Sequence, residues 1–234
     1  MYPSSRGGNT LLPRLDFLVS VISSELRSLL DQTLADDRPH VERLTVAAAI
    51  ISEVLRRHGM QATLVGGGAI EVHASGGYAT SDIDLVVEGK SREEIDVALT
   101  SFGFARRGRH WVYGDWFVEV PGNWMSDPVD TVTVGSLTLR VVRREVVLAD
   151  RIIGFKHWRA TAYGAQAIAL LALFGDSIDE TLLRDRVRAE HAEDALDALR
   201  DVARSGGHVT EQRLRSLLER LHSSRAPRPG GSLE

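Results

Sequence analysis

Asp82 and Asp84 stand two residues apart in the run Ser81-Asp82-Ile83-Asp84-Leu85. In a strand this spacing places both carboxylates on one face, because strand side chains alternate. Like charges held that close repel unless a cation lies between them, so the pair suggests a divalent-metal site. Upstream, Val65-Gly66-Gly67 closes a short apolar run. Glycine there lets a phosphate chain approach the backbone, and a helix starting at that point offers unbonded amides to an anion. Mg²⁺ favours carboxylates together with substrate phosphates, so the combination points to nucleotide chemistry. A third carboxylate is expected from a neighbouring strand. Glu119 in Trp116-Phe117-Val118-Glu119-Val120 is the candidate, because an isolated acid in an apolar run is costly without a cation or partner. Asp115 and Asp130 are the alternatives.

The elements that must carry these residues follow from hydrophobic period and punctuation. Residues 1–10 read as a disordered start, and 14–34 as an amphipathic helix broken by Asp36-Asp37-Arg38-Pro39. A second helix runs from Val41 to His58, stopped by Gly59. A strand over 62–65 enters the glycine turn, and a helix over about 68–75 ends at Gly76-Gly77. The carboxylate strand spans 82–87. Ser91 and Glu94 then form a capping-box pattern that opens the next helix. Short β-type runs follow at 104–107, 110–113, 116–120, 131–134 and 137–142, the last two joined by a hairpin turn at Gly135-Ser136. From Val147 to about His222 the pattern is helical, interrupted near Gly175 and at Ser205-Gly206-Gly207. This gives an α/β protein organised as a helical segment 1–39, a core 40–146, a helical C-terminal domain 147–222 and a flexible tail 223–234.

Composition sets further bounds. The 234 residues suffice to bury a core, and the absence of cysteine excludes disulfides and thiolate metal sites. No apolar stretch is long enough to span a bilayer and the N-terminus lacks a signal-peptide pattern, so a cytoplasmic protein with no membrane partner is expected. A formal net charge of −4 gives no global basic footprint for nucleic acid, while leaving room for a local basic groove. Of 28 basic residues, only Lys90 and Lys156 are lysines. A compact ammonium is not equivalent to a guanidinium near phosphate. Lys90 reads as a surface residue at a helix start.

The string Val65-Gly66-Gly67 … Asp82-Ile83-Asp84-Leu85 … Glu119 resembles the nucleotidyltransferase-fold superfamily, the DNA polymerase β-like group. It looks most similar to the minimal bacterial branch that includes the AbiEii and MenT-like toxins of toxin–antitoxin systems. The resemblance covers about residues 45–120. It implies a nucleotidyltransferase-type mixed sheet with flanking helices and transfer of a nucleotide from an NTP to an acceptor hydroxyl. Two Mg²⁺ ions are implied, with Asp82 and Asp84 binding both and Glu119 the one that activates the acceptor. Two metals of this kind clamp the attacking and leaving oxygens of an in-line displacement. Gly66, Gly67 and Thr80 or Ser81 would hold the triphosphate. Lys156, together with Arg159, falls where that branch places cations that neutralise developing phosphate charge. An acidic element commonly follows that lysine in the toxins. Here the stretch is Tyr163-Gly164-Ala165-Gln166-Ala167, and Asp176 and Asp179 lie farther on.

The acceptor implied by the toxin branch is RNA, with tRNA foremost, and a cognate antitoxin would be the partner. An aminoglycoside- or lincosamide-type antibiotic nucleotidyltransferase shares the same core, and so would a non-catalytic nucleotide- or partner-binding module. A basic groove beside Asp82 favours RNA; an acidic cleft favours a cationic drug. His73 is expected to pack beside the glycine helix. Trp111 and Trp158, flanked by His110 and His157, are expected to serve packing rather than base stacking. The C-terminal arginines alternate with acids and read as solvated, salt-bridged helix faces.

Overall fold

The computed structural model describes residues 12–75, 80–206 and 208–223. The expected disordered start, the Gly76-Gly77 helix stop and most of the tail lie outside them. The described chain forms α1 (Leu12–Ala35), α2 (His40–Arg57), β1 (Gln61–Val65), α3 (Gly66–His73), β2 (Asp82–Glu88) and α4 (Arg92–Phe102). Next come β3 (Ala105–Arg107), β4 (His110–Tyr113), β5 (Trp116–Gly122), β6 (Val129–Val134) and β7 (Leu137–Val142). Five helices follow: α5 (Arg144–His157), α6 (Thr161–Phe174), α7 (Glu180–Ala189), α8 (Glu193–Ser205) and α9 (Glu211–Ser223). The architecture is a mixed α/β sheet with flanking helices and a helical C-terminal part.

Two compact units divide the described residues. One holds 12–68, 80–125 and 131–141; the other holds 69–75, 126–130 and 142 onward. The first is built on the sheet, whose seven strands run β3-β4-β5-β2-β1-β7-β6. β1 pairs antiparallel with β2 and parallel with β7, β2 pairs parallel with β5, and β3-β4-β5 is an antiparallel meander. Ile83, Leu85, Trp111 and Val118 are fully buried. The alternate residues Asp82, Asp84, Phe117 and Glu119 are half-buried or exposed. Period-2 alternation thus separates a core face from a polar face.

α2 brings Leu44, Ala47, Ile50, Ile51 and Leu55 into that core. α4 begins in the expected capping box, with Ser91 and Glu94 bonded reciprocally. Its Asp96 carboxylate accepts from the indole of buried Trp111 at 2.8 Å and from Arg106 at 2.8 Å. Trp111 therefore serves packing, as expected. α1 docks through Arg27, which donates to the Phe102 carbonyl at 2.8 Å, and through the Tyr113 hydroxyl, which donates to Asp31 at 2.5 Å.

The helical unit packs around Ile152, Phe155, Leu171, Leu183, Leu196 and Leu217. α5 and α6 meet where a Cβ on Gly164 would lie 2.5 Å from the Phe155 ring, so the crossing needs a glycine. Fully buried Glu145 receives Arg143 and Arg144 and accepts the Asp179 amide at 3.0 Å, which joins the starts of α5 and α7. His73 Nε2 donates to the Val142 carbonyl at 2.8 Å, which anchors the end of α3 as a packing residue.

Candidate active site on the polar face of the sheet

Strand register assembles the acidic residues. Asp84 of β2 lies directly opposite Glu119 of β5 and, on its other side, opposite Val65 of β1. Asp82, one pleat away on the same face, pairs with Phe117. Opposed residues share a face, so Asp82, Asp84 and Glu119 project together. The row continues outward: Glu119 opposes His110 of β4, which opposes Arg107 of β3. One line across five strands therefore reads Val65, Asp84, Glu119, His110, Arg107.

The register of β2 on β5 shifts between Asp84 and Val86, so one extra residue of β5 fits between Glu119 and Gly122. Pro121 sits in that bulge, where its missing amide costs no ladder bond. Bulges of this kind bend a strand and re-aim its side chains, here immediately after Glu119. The sequence pattern ends this strand at Val120; the strand instead runs through the proline to Gly122.

The glycine turn approaches closer than the sequence suggests. α3 begins at Gly66 with no loop after β1, rather than at 68. Gly66 has φ +61°, and a Cβ there would lie 2.4 Å from Asp84 Oδ2. A Cβ on Gly68 would lie 3.0 Å from the Leu64 side chain and 3.7 Å from the Asp82 carbonyl. The start of the helix is thus seated on the carboxylate strand, and only glycine fits at residue 66. Thr80 Oγ1 accepts the Asp82 amide at 3.2 Å, and the Ser81 carbonyl accepts the Phe117 amide at 3.4 Å. These two residues fix the entry of β2.

Glu119 already has nitrogen-bearing neighbours. His110 Nε2 lies 3.2 Å from one carboxylate oxygen and Arg109 Nε 3.4 Å from the other. Nothing local in the sequence marks either as a partner, and His110 figures there only as the neighbour of Trp111. Among the described residues no three His, Cys, Asp or Glu side chains converge closely enough to form a metal cage. The donor chemistry nevertheless fits Mg²⁺, which is commonly held by one or two carboxylates with substrate phosphates completing the shell. Asp82 and Asp84 supply those carboxylates.

Lys156 and Arg159 belong to the helical unit. Lys156 is 2% exposed; its ammonium donates to the His191 carbonyl at 2.5 Å and to the Asp194 carboxylate. That acid belongs to α8, 38 residues along the chain. Arg159 follows α5 with φ +54°, an uncommon conformation for a residue with a side chain. Of the alternative acids, Asp130 lies 4.0 Å from Arg143 in the helical unit, while Asp115 occupies the β4–β5 turn.

No family model matches the chain, and no curated protein matches it. Among solved structures it is similar to the solution structure of the antibiotic-resistance factor ANT(2'')-Ia, at 15% identity and a TM-score of 0.36. That alignment covers 74% of this chain and 94% of the other. No described helix is long and apolar enough to cross a membrane.

Proposed function

We propose that the chain is a divalent-metal-dependent nucleotidyltransferase that moves a nucleotide from an NTP to a hydroxyl of RNA. The observation that carries this reading is the row in which Asp84 faces Glu119, with Asp82 on the same face and Gly66 packed against the Asp84 carboxylate. Asp82 and Asp84 would hold Mg²⁺, with Glu119 facing Asp84 beside it; the ion when bound neutralises phosphate charge and lowers the pKa of the attacking hydroxyl. The amides of Gly66 and Gly67 at the start of α3, with Thr80 and Ser81 beside them, bind and orient the triphosphate. The acceptor oxygen forms a bond to the α-phosphorus as the bond to pyrophosphate breaks. Its proton leaves towards the carboxylate of Glu119. His110 and Arg109 hold that carboxylate in position.

RNA is preferred to a cationic drug because His110 and Arg107 continue the row beyond Glu119, and Arg109 pairs with the Glu119 carboxylate. The Arg107 and Arg109 guanidiniums repel an aminoglycoside and attract a phosphate backbone. Exposed Phe117, opposite Asp82, adds an aromatic surface to the same face. Lys156 and Arg159 are assigned to the architecture of the helical unit in this reading. A toxin role with a cognate antitoxin, and tRNA as the particular RNA, rest on the motif resemblance.

The test is incubation with each α-labelled NTP, Mg²⁺ and total cellular RNA, beside Asp82→Asn and Asp84→Asn. Label appearing in RNA with the unaltered protein alone supports the reading. Label in neither RNA nor an added aminoglycoside, with no pyrophosphate released from any NTP, refutes it.

A further inference from the structure

The helical unit contains an aromatic corner that the proposed reaction does not use. Trp158, the residue after α5, is 69% exposed. Its ring centroid lies 5.8 Å from that of Tyr163 on α6, with the planes tilted by 58°. The two rings therefore do not stack on each other, and most of the indole is left to solvent.

The corner is built by the backbone. A Cβ on Gly154 would lie 2.3 Å from Tyr163 Cδ2 and 3.0 Å from Trp158 Cε3, so both rings rest on α5 only because residue 154 has no side chain. The next residue after the indole, Arg159, holds φ +54°. Backbone in that region is strained for a residue with a Cβ and persists where surrounding structure enforces it.

Polar groups complete the site. The corner opens on a cavity of about 640 Å³ that Asp150, Arg151, His157, Arg186 and Glu190 also line. The Arg151 guanidinium sits 4.7 Å over the Tyr163 ring. The Nε–H groups of Arg151 and Arg186 are buried without a hydrogen-bond partner among the described residues. A guest cation meets the Arg151 guanidinium on the Tyr163 face and finds Asp150 already paired with Arg186 at 3.6 Å. A simple anion gains nothing from the indole. A flat heteroaromatic ring with donors and acceptors on its edge uses the indole face, the guanidiniums and the carboxylates together.

We propose that Trp158, Tyr163, Arg151 and Arg186 form a nucleobase-stacking site in the helical unit. Stacking of bases on aromatic side chains tolerates any base and is reinforced by arginine. The cavity lies within the usual size range of small-ligand sites. The base arrives either as a free nucleotide or as one residue of a single-stranded RNA.

The full chain is titrated in EDTA, so that metal-dependent binding at the aspartates does not contribute. The probes are the four nucleoside monophosphates by calorimetry, and a fluorescein-labelled RNA hexamer, with an abasic counterpart, by anisotropy. Binding should weaken about tenfold or more in Trp158→Ala, be largely kept in Trp158→Phe and be unchanged in Asp84→Asn. Gly154→Ala, checked for fold by circular dichroism, should weaken it as well. Binding of monophosphates identifies the free nucleotide as a ligand; binding of the hexamer alone, lost in its abasic form, identifies RNA. No binding of any probe, equal binding of the abasic hexamer, or wild-type affinity in Trp158→Ala overturns the proposal. A loss in Asp84→Asn alone also overturns it, and leaves the nucleotidyltransferase reading standing.

Discussion

Lys156 on α5 and Asp194 at the start of α8, 38 residues apart, form an ion pair whose lysine is 2% exposed and whose acid is 41% exposed. The asymmetry sets the cost of breaking it. Asp194→Ala leaves a buried ammonium with one carbonyl, and a loss of about 3 kcal/mol is expected. Lys156→Met leaves a carboxylate that water can reach, and should cost less. Urea denaturation of both variants checks the order. The same pair tests the assignment of Lys156 to architecture: KM for NTP should move no more in Lys156→Met than in Asp194→Ala.

Gly66→Ala is expected to fail twice. Its Cβ meets Asp84 Oδ2 at 2.4 Å, and φ +61° is unfavourable for alanine. A destabilisation of about 1–3 kcal/mol should accompany displacement of the Asp84 carboxylate. Stability and nucleotidyl transfer should fall together, measured by denaturation and label incorporation.

Asp82→Asn and Asp84→Asn keep the side-chain volume and remove the charge. Each should lower transfer by on the order of 100-fold or more. Thermal stability should change little for exposed Asp82. Thermal melts beside the transfer assay separate a lost site from a lost fold.

Tyr113 donates to Asp31, and burial first, then that carboxylate, pushes its phenol up to about 12. The unfolded phenol titrates near 10. The stabilisation is complete below about pH 10. It fades as pH rises towards 12, because the unfolded chain releases the proton first. Tyr113→Phe should therefore melt below the unaltered protein at pH 8, and the gap should close by about pH 12.

The elements that bear the site were legible because their signals are local. Asp82–Leu85 alternates with period 2, and Val65-Gly66-Gly67 marks a strand meeting a helix. What remained hidden depends on pairing between distant segments. His110 and Arg109 become partners of Glu119 only because β4 lies antiparallel to β5. The sequence shows no acid in the stretch after Lys156 and names no partner for it, while helix packing supplies Asp194. The extension of β5 through Pro121 was hidden for a related reason. A proline reads as a strand end until the register shows that its position needs no donor.

The chain changes unit five times between Gly68 and Val142. No single cut therefore releases either unit whole: a fragment ending at Val141 keeps 69–75 and 126–130, pieces that belong to the helical unit. Dissection by truncation would compare damaged halves. Insertion is the better tool. At Gly135, the tip of the β6–β7 hairpin, an added Cβ would meet nothing within 4 Å, so a tag or reporter enters there with least disturbance.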